Sequence, residues 1–215
     1  ENHDMTAVAL VSCGVATGWG SSVHRADVGA GDTVVVVGVG GIGSAAIQGA
    51  RMAGAARVVA IDPLENKREL AMDFGATHTA ASMEDAAADV MEMTAGQMAD
   101  KLVLCPGVVH GDMLAPAMSL VRKGGTVVVT GISPIGEIDA KMSLFELAMF
   151  NKEVKGSIFG SGNPRADIPY LLDLYGQGQL KLDEMVTKTY SLDQINDGYQ
   201  DMRDGKNIRG VIVFD

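Results

Sequence analysis

Cysteine is scarce in this chain. Two residues, Cys13 and Cys105, stand among 215, too few for a disulfide framework or a self-contained zinc cage. Positive charge is also short. Seventeen Lys and Arg face 27 Asp and Glu, a formal net charge of −10, which argues against a nucleic-acid partner because phosphate-backbone binding needs a concentrated positive surface. No run approaches the ~20 apolar residues that cross a bilayer, and no signal-peptide pattern is visible, so no membrane partner is expected and the cytoplasm is the default. Internal repeats and low-complexity linkers are absent. What is present is a composition 47% hydrophobic and 20% charged, enough apolar side chain for a sizeable core. The length suits one large domain, or one domain plus part of another.

The informative stretch is VVVVGVGGIG, residues 34–43. Four β-branched residues run into Gly38-Val39-Gly40-Gly41-Ile42-Gly43, and an Ala-rich helical pattern follows. This places the G-x-G-x-x-G fingerprint after a strand and at the opening of a helix, the context in which it signifies dinucleotide binding. Gly38 permits the tight turn, Gly40 lets the backbone approach a pyrophosphate, and Gly43 lets the helix pack closely on the strand. The helix N-terminus then offers unpaired N–H groups and a positive dipole end to phosphate. A second apolar run, residues 57–61, ends at Asp62, nineteen positions after Gly43, where a carboxylate meets the adenosine ribose hydroxyls. Such a carboxylate repels the 2′-phosphate of NADP, and Pro63 rather than an arginine follows it, so NAD is favoured.

Strand patterns recur at residues 33–37, 57–61, 77–80, 101–104, 126–130 and 153–158, separated by helical patterns at 42–53, 66–74, 83–94, 111–121 and 144–150. Six strands separated by helices predict an α/β fold, a doubly wound six-stranded parallel sheet of Rossmann type. Residues 7–14 read as a helix or buried apolar segment ahead of a small-residue stretch. After Phe159 the pattern changes. A helix is predicted from Pro164 to about residue 175, a strand at 186–190, a capping box at Ser191 with Gln194, a helix to about residue 202, and a last strand at 210–214. This tail is not expected to complete the first sheet.

Several segments together resemble the zinc-containing medium-chain alcohol dehydrogenases. They are Ser12-Cys13-Gly14-Val15-Ala16-Thr17-Gly18-Trp19-Gly20, the glycine loop, Asp62 with Lys67, Lys155-Gly156-Ser157-Ile158-Phe159-Gly160, and Asn207-Ile208-Arg209-Gly210. The tail Asp193-Gln194-Ile195-Asn196-Asp197-Gly198-Tyr199-Gln200-Asp201-Met202 particularly resembles an actinobacterial group named for the artificial acceptor nitroso-dimethylaniline. The resemblance implies an NAD-binding Rossmann domain at 15–158, the end of a GroES-like catalytic domain at 1–14, and the return segment of that domain at 159–215. It implies NAD contacts from Thr17, Gly38, Gly40, Gly41, Ile42, Gly43, Asp62, Lys67, Thr130, Gly131, Ile132, Phe159 and Arg209. Of these, Lys67 would meet the adenosine ribose and Arg209 the pyrophosphate. Thr17 and Phe159 would lie close to the nicotinamide, and the backbone of residues 130–132 would hold its carboxamide.

In that family a catalytic zinc is held by two cysteines and a histidine, with the fourth position open to water or alcohol. Cys13 matches the last of these ligands, and the others would lie before Glu1. The implied function is hydride transfer between an alcohol or aldehyde and nicotinamide, with zinc lowering the pKa of the bound alcohol. The chain alone is expected to be inactive, its N-terminal substrate domain missing. Homo-oligomerisation is expected through an edge strand near residues 138–142, and an exposed apolar patch is expected at 7–11 and 211–214. Two rivals stand beside this reading: a zinc-free quinone or enoyl reductase, against which Cys13 argues, and a non-catalytic NAD(H)-binding module. Cys105 is expected to be buried and structural. His3, His24, His78 and His110 lack metal-ligand spacing, and the methionines read as core filling.

Overall fold

Val34 to Val37 have no polar side chain to present to water, so β1 (Thr33–Val37) is covered on both faces. A computed structural model describes residues 4–214; His3 lies outside them. In chain order the elements are α1 (Met5–Val8), α2 (Gly14–Gly20), β1, α3 (Gly41–Met52), β2 (Arg57–Ile61), α4 (Glu65–Asp73), β3 (His78–Ala80), α5 (Met83–Met93), β4 (Ala99–Leu104), α6 (Leu114–Ser119), β5 (Val121–Val129), α7 (Leu144–Met149), β6 (Glu153–Gly156), α8 (Pro164–Gly176), β7 (Val186–Tyr190), α9 (Ile195–Arg203) and β8 (Arg209–Ile212). Among the described residues six strands form one parallel sheet in the order β3-β2-β1-β4-β5-β6. This is the doubly wound Rossmann order, whose strand sequence reverses between β1 and β4.

The period of two along each strand divides the core. Val34, Val36, Val58, Ala60, Val103 and Val128 join the layer that holds α2, α3 and α8. Val35, Val37, Val59, Ile61, Leu102 and Leu104 join the layer that holds α5 and α6. Each fully buried aliphatic side chain stabilises the fold by about 1.5–3 kcal/mol.

β7 and β8 form a separate two-stranded parallel sheet, so the tail leaves the main sheet as anticipated. It is nonetheless anchored to it. Leu171, Leu174, Leu180, Leu182 and Met185 enter the α3-side core. The buried Gln48 amide, on α3, donates to the Lys181 carbonyl at 3.0 Å and accepts the Lys181 N–H at 2.8 Å. Within the tail, the capping box at Ser191 and Gln194 starts the turn leading to α9. Asp201, 9% exposed, then accepts from Lys188 Nζ (2.6 Å), Tyr190 Oη (2.9 Å) and Lys206 Nζ (3.2 Å), tying α9 to β7.

Several boundaries differ from expectation for identifiable reasons. The helix expected at 111–121 ends at Ser119, because the Ala99 N–H bonds Leu120 O and Val121 is drawn into the ladder opposite Ala99. β6 stops at Gly156, where the chain turns through left-handed Phe159 (φ 48°), Gly160 and Ser161. Residues 138–142 form no strand; the sheet edge on that side is β6. Nor are residues 7–11 an exposed patch, since Ala7 and Val11 are buried in the α3-side core. β8 begins at Arg209, one residue early, leaving Val213 and Phe214 exposed beyond it. Among the described residues no single helix is long and apolar enough to cross a membrane.

The Asp201 cluster sets a pH dependence. Hydrogen bonds from Lys188, Tyr190 and Lys206 hold its carboxyl down at about 2, below its ordinary 3.8. Its stabilisation is therefore complete above about pH 3.8 and is lost as the pH falls toward about 2. Urea midpoints measured across that window should fall more steeply for the natural chain than for Asp201→Asn, the variant being the weaker of the two at neutral pH.

Candidate functional site

The crevice at the switch point between β1 and β4 is built by the glycine loop. Gly38 adopts φ 92°, open to glycine and costly for other residues, and its N–H bonds Ile61 O at 2.7 Å. A Cβ at Gly43 would collide with the Gly38 carbonyl oxygen, so only glycine lets α3 start directly beneath the end of β1. Gly40 differs: a Cβ there would meet nothing within 4 Å. The N-cap of α3 has no side-chain capping bond. Among the described residues the N–H groups of Gly41, Ile42 and Gly43 have no acceptor, leaving a twelve-residue helix with its positive end uncovered.

Arg209 comes to this point from the far end of the chain. A Cβ on Gly41 or Gly14 would clash with its guanidinium, which therefore lies against the first turns of α3 and α2. Burial pulls its pKa below the ordinary value, opposed by the neighbouring Cys13. No carboxylate pairs with it among the described residues. A desolvated, unpaired cation beside uncapped helix amides is an anion cradle in charge and in donors.

Asp62, 6% exposed, ends β2. Its Oδ2 accepts the Val39 N–H at 2.8 Å and its Oδ1 the Leu64 N–H at 3.0 Å. The carboxylate thus fixes the glycine loop and keeps lone pairs for a further donor. Lys67 is half-buried on α4 and lies beside the Gly205 turn. Arg68, which the sequence did not single out, donates to the Asp62 and Pro63 carbonyls, each at 2.9 Å.

At the other end of the crevice Thr130 Oγ1 donates to Ser21 Oγ (2.9 Å), and Ser21 Oγ donates to the Thr17 carbonyl (2.7 Å). Ser157 Oγ stands 3.2 Å from Ser21 Oγ and 3.2 Å from Ser161 Oγ. Ser21 opens a π turn, Ser21–Arg25, a wide turn frequent at functional sites. The Gly131 N–H bonds Leu104 O at 3.1 Å, while Ile132 and Phe159 are exposed at 80% and 45%. Ser21 and Ser157 were not legible beforehand, because an isolated serine in an apolar helix or after a strand carries no spacing signal. Cys105 Sγ lies 3.5 Å from Gly38 O, and burial, with the Asp62 charge adding, pushes its thiol up to about 12; it is an inert packing group.

Cys13 is exposed and free. Among the described residues no three His, Cys, Asp or Glu side chains gather as a metal site, so these residues do not fit a zinc centre by themselves.

Fold and crevice define an α/β protein of Rossmann type, and known proteins give it a family. A family model described as zinc-binding dehydrogenase matches residues 41–177. The chain belongs to the zinc-binding dehydrogenases. It is 53% identical over 208 residues to an NDMA-dependent alcohol dehydrogenase of Amycolatopsis methanolica, covering 97% of this chain and 56% of that one. It is 32% identical to an S-(hydroxymethyl)glutathione dehydrogenase of Paracoccus denitrificans, covering 100% and 58%. The benzyl alcohol dehydrogenase structure from Acinetobacter calcoaceticus superposes with a TM-score of 0.91 at 27% identity, covering 99% of this chain and 57% of that one. The chain thus spans little more than half the length of these relatives.

Close-packed Gly43 and open Gly40 make opposite predictions. Gly43→Ala should lose about 1–3 kcal/mol of stability through overpacking, whereas Gly40→Ala should unfold within about 0.5 kcal/mol of the natural chain. Chemical denaturation of both variants checks the difference.

Proposed function

We propose that this chain is the NAD-binding portion of a zinc-dependent alcohol dehydrogenase, which moves hydride between an alcohol or aldehyde and nicotinamide. The observation that carries the reading is the uncapped α3 N-terminus beside open Gly40, with the unpaired Arg209 guanidinium against Gly41. These residues fit a dinucleotide. Arg209 and the amides of Gly41, Ile42 and Gly43 would hold the pyrophosphate; Asp62 and Lys67 would meet the adenosine ribose. Thr17, the backbone of Thr130, Gly131 and Ile132, and Phe159 would orient the nicotinamide ring. When bound, the nicotinamide supplies the hydride acceptor or donor, and the protein's part is to align it and exclude water.

Cys13 we read as one ligand of the zinc in the whole enzyme, the remaining ligands coming from outside this chain. The proposed division is 1–14 and 159–215 to a GroES-like catalytic domain and 15–158 to the Rossmann domain. Self-association also belongs to this reading. The exposed Ile135, Ile138, Leu144, Phe145 and Met149 lie in one stretch of sequence bordering β6, the edge of the sheet, and exposed apolar side chains gathered this way mark interaction surfaces. A homo-oligomer is expected by light scattering, and Phe145→Glu should shift it toward monomer; a monomer at high concentration in the natural chain would reject this part.

Calorimetric titration tests the cofactor assignment. NADH should bind, with NADPH at least roughly tenfold weaker, about 1.4 kcal/mol, and Asp62→Gly should narrow the gap. Gly40→Ala and Arg209→Met should each weaken NADH by a similar factor. Equal NADH and NADPH affinities in the natural chain would remove the role given to Asp62.

A further inference from the structure

At the opposite ends of the strands from the glycine loop, where β4 and β5 begin, three irregular segments meet around a cavity of about 460 Å³. The turn before β4 holds two non-glycine residues in the left-handed region, Ala95 (φ 51°) and Met98 (φ 74°). Ala95 closes α5 as a left-handed cap, its N–H on Glu92 O (3.1 Å) and the Gly96 N–H on Met91 O (2.7 Å), and the Met98 N–H is held by Thr94 Oγ1 at 2.9 Å, so the turn is fixed in place. β5 opens with a wide bulge. Val121 pairs with Ala99 and Thr126 with Lys101, so residues 122–125 oppose the single residue Asp100; bulges re-aim side chains at such places. The third segment, residues 150–152, is held to the bulge by the Gly124 N–H on Phe150 O at 2.8 Å.

Arg122, Lys123 and Lys152 line this cavity and no carboxylate does, although the chain carries a net charge of −10. Lys152 is built in: its side chain is 6% exposed, and its ammonium donates to Met118 O (2.6 Å) and Glu146 Oε2 (2.8 Å), leaving one of its three N–H groups. Arg122 gives Nε to Asp100 (2.6 Å) and Nη1 to Lys123 O (2.8 Å), leaving Nη2 without an acceptor among the described residues. Lys123 has no carboxylate partner among them; it lies over the Phe150 ring at 5.0 Å. One cation is therefore uncompensated, and all three keep spare donors. Met98, Val121 and Phe150 supply apolar wall beside them.

We propose that this cavity binds a small organic anion, independently of the dinucleotide crevice. A phosphate or carboxylate head would take the spare donors of Arg122, Lys123 and Lys152, and an apolar body would lie against Met98, Val121 and Phe150. The volume falls in the range of small-molecule sites.

The full chain would be titrated with phenyl phosphate, benzoate and inorganic phosphate, following amide resonances of residues 96–98, 122–123 and 150–152 by NMR, with and without saturating NADH. Saturable one-to-one binding of phenyl phosphate or benzoate is expected, tighter than inorganic phosphate and unchanged by NADH. The tighter of the two organic probes identifies the head group. Lys123→Gln and Gln97→Glu, both at exposed positions, should each weaken it roughly tenfold or more, while circular dichroism stays unchanged. The proposal is overturned by any of four results: no saturable shift at these residues at millimolar probe, displacement by NADH, full binding in both variants, or inorganic phosphate binding as tightly as phenyl phosphate. The titration without NADH reads this site even if the chain binds no dinucleotide.

Discussion

The contact between Gly43 and the Gly38 carbonyl governs where everything else in the crevice lies. Because no side chain intervenes, α3 begins directly under the end of β1, and its uncapped amides face the gap between β1 and β4. Asp62 then tethers the loop through the Val39 N–H, so the loop is fixed from both sides: sterically by the helix, electrostatically by the neighbouring strand. A loop held this way is already fixed on both sides, as the proposed pyrophosphate site requires. That is the physical meaning of a preformed anion cradle.

The cradle is completed from a distance. Arg209 is separated from Gly41 by most of the chain, and it arrives only because the tail is clamped at two levels. Gln48 pairs with the Lys181 backbone on the inner side. Asp201 gathers Lys188, Tyr190 and Lys206 on the outer side, and Tyr190 in turn accepts the Asn207 side-chain N–H at 3.2 Å, two residues before Arg209. Burying a guanidinium without a carboxylate is costly, and the rigid tail enforces it. An anion bound beside it would offset that cost, which supports the proposal of a pyrophosphate site there.

The two edges of the sheet divide the chemistry differently. At the C-terminal edge, helix amides and hydroxyls present a neutral, directional donor set with one cation. At the N-terminal ends of the strands, three cations line a cavity whose rim is irregular and bulged. Parallel strands alone would place ligand sites only at the first edge; the second arises from local irregularity, not from topology.

The amino-acid order by itself determined the strand and helix succession, the turn at Gly38 and the placement of Asp62 at a strand end. These follow from local sterics and from hydrophobic period, both of which are written in near neighbours. The resemblance carried Cys13, Thr17 and Arg209 as candidates, but their surroundings were not legible. Only the tertiary structure decided that Arg209 lies unpaired on Gly41, that Arg68 grips the end of β2, and that Thr130, Ser21 and Ser157 share a hydroxyl chain. It also decided that residues 138–142 form no strand, that Ala7 and Val11 are buried, and that Val121 joins the ladder ahead of a bulge. Each of these depends on which groups meet across long separations in the chain. A charge is paired or bare, and a serine is linked or idle, according to neighbours that the fold supplies and the local sequence does not name.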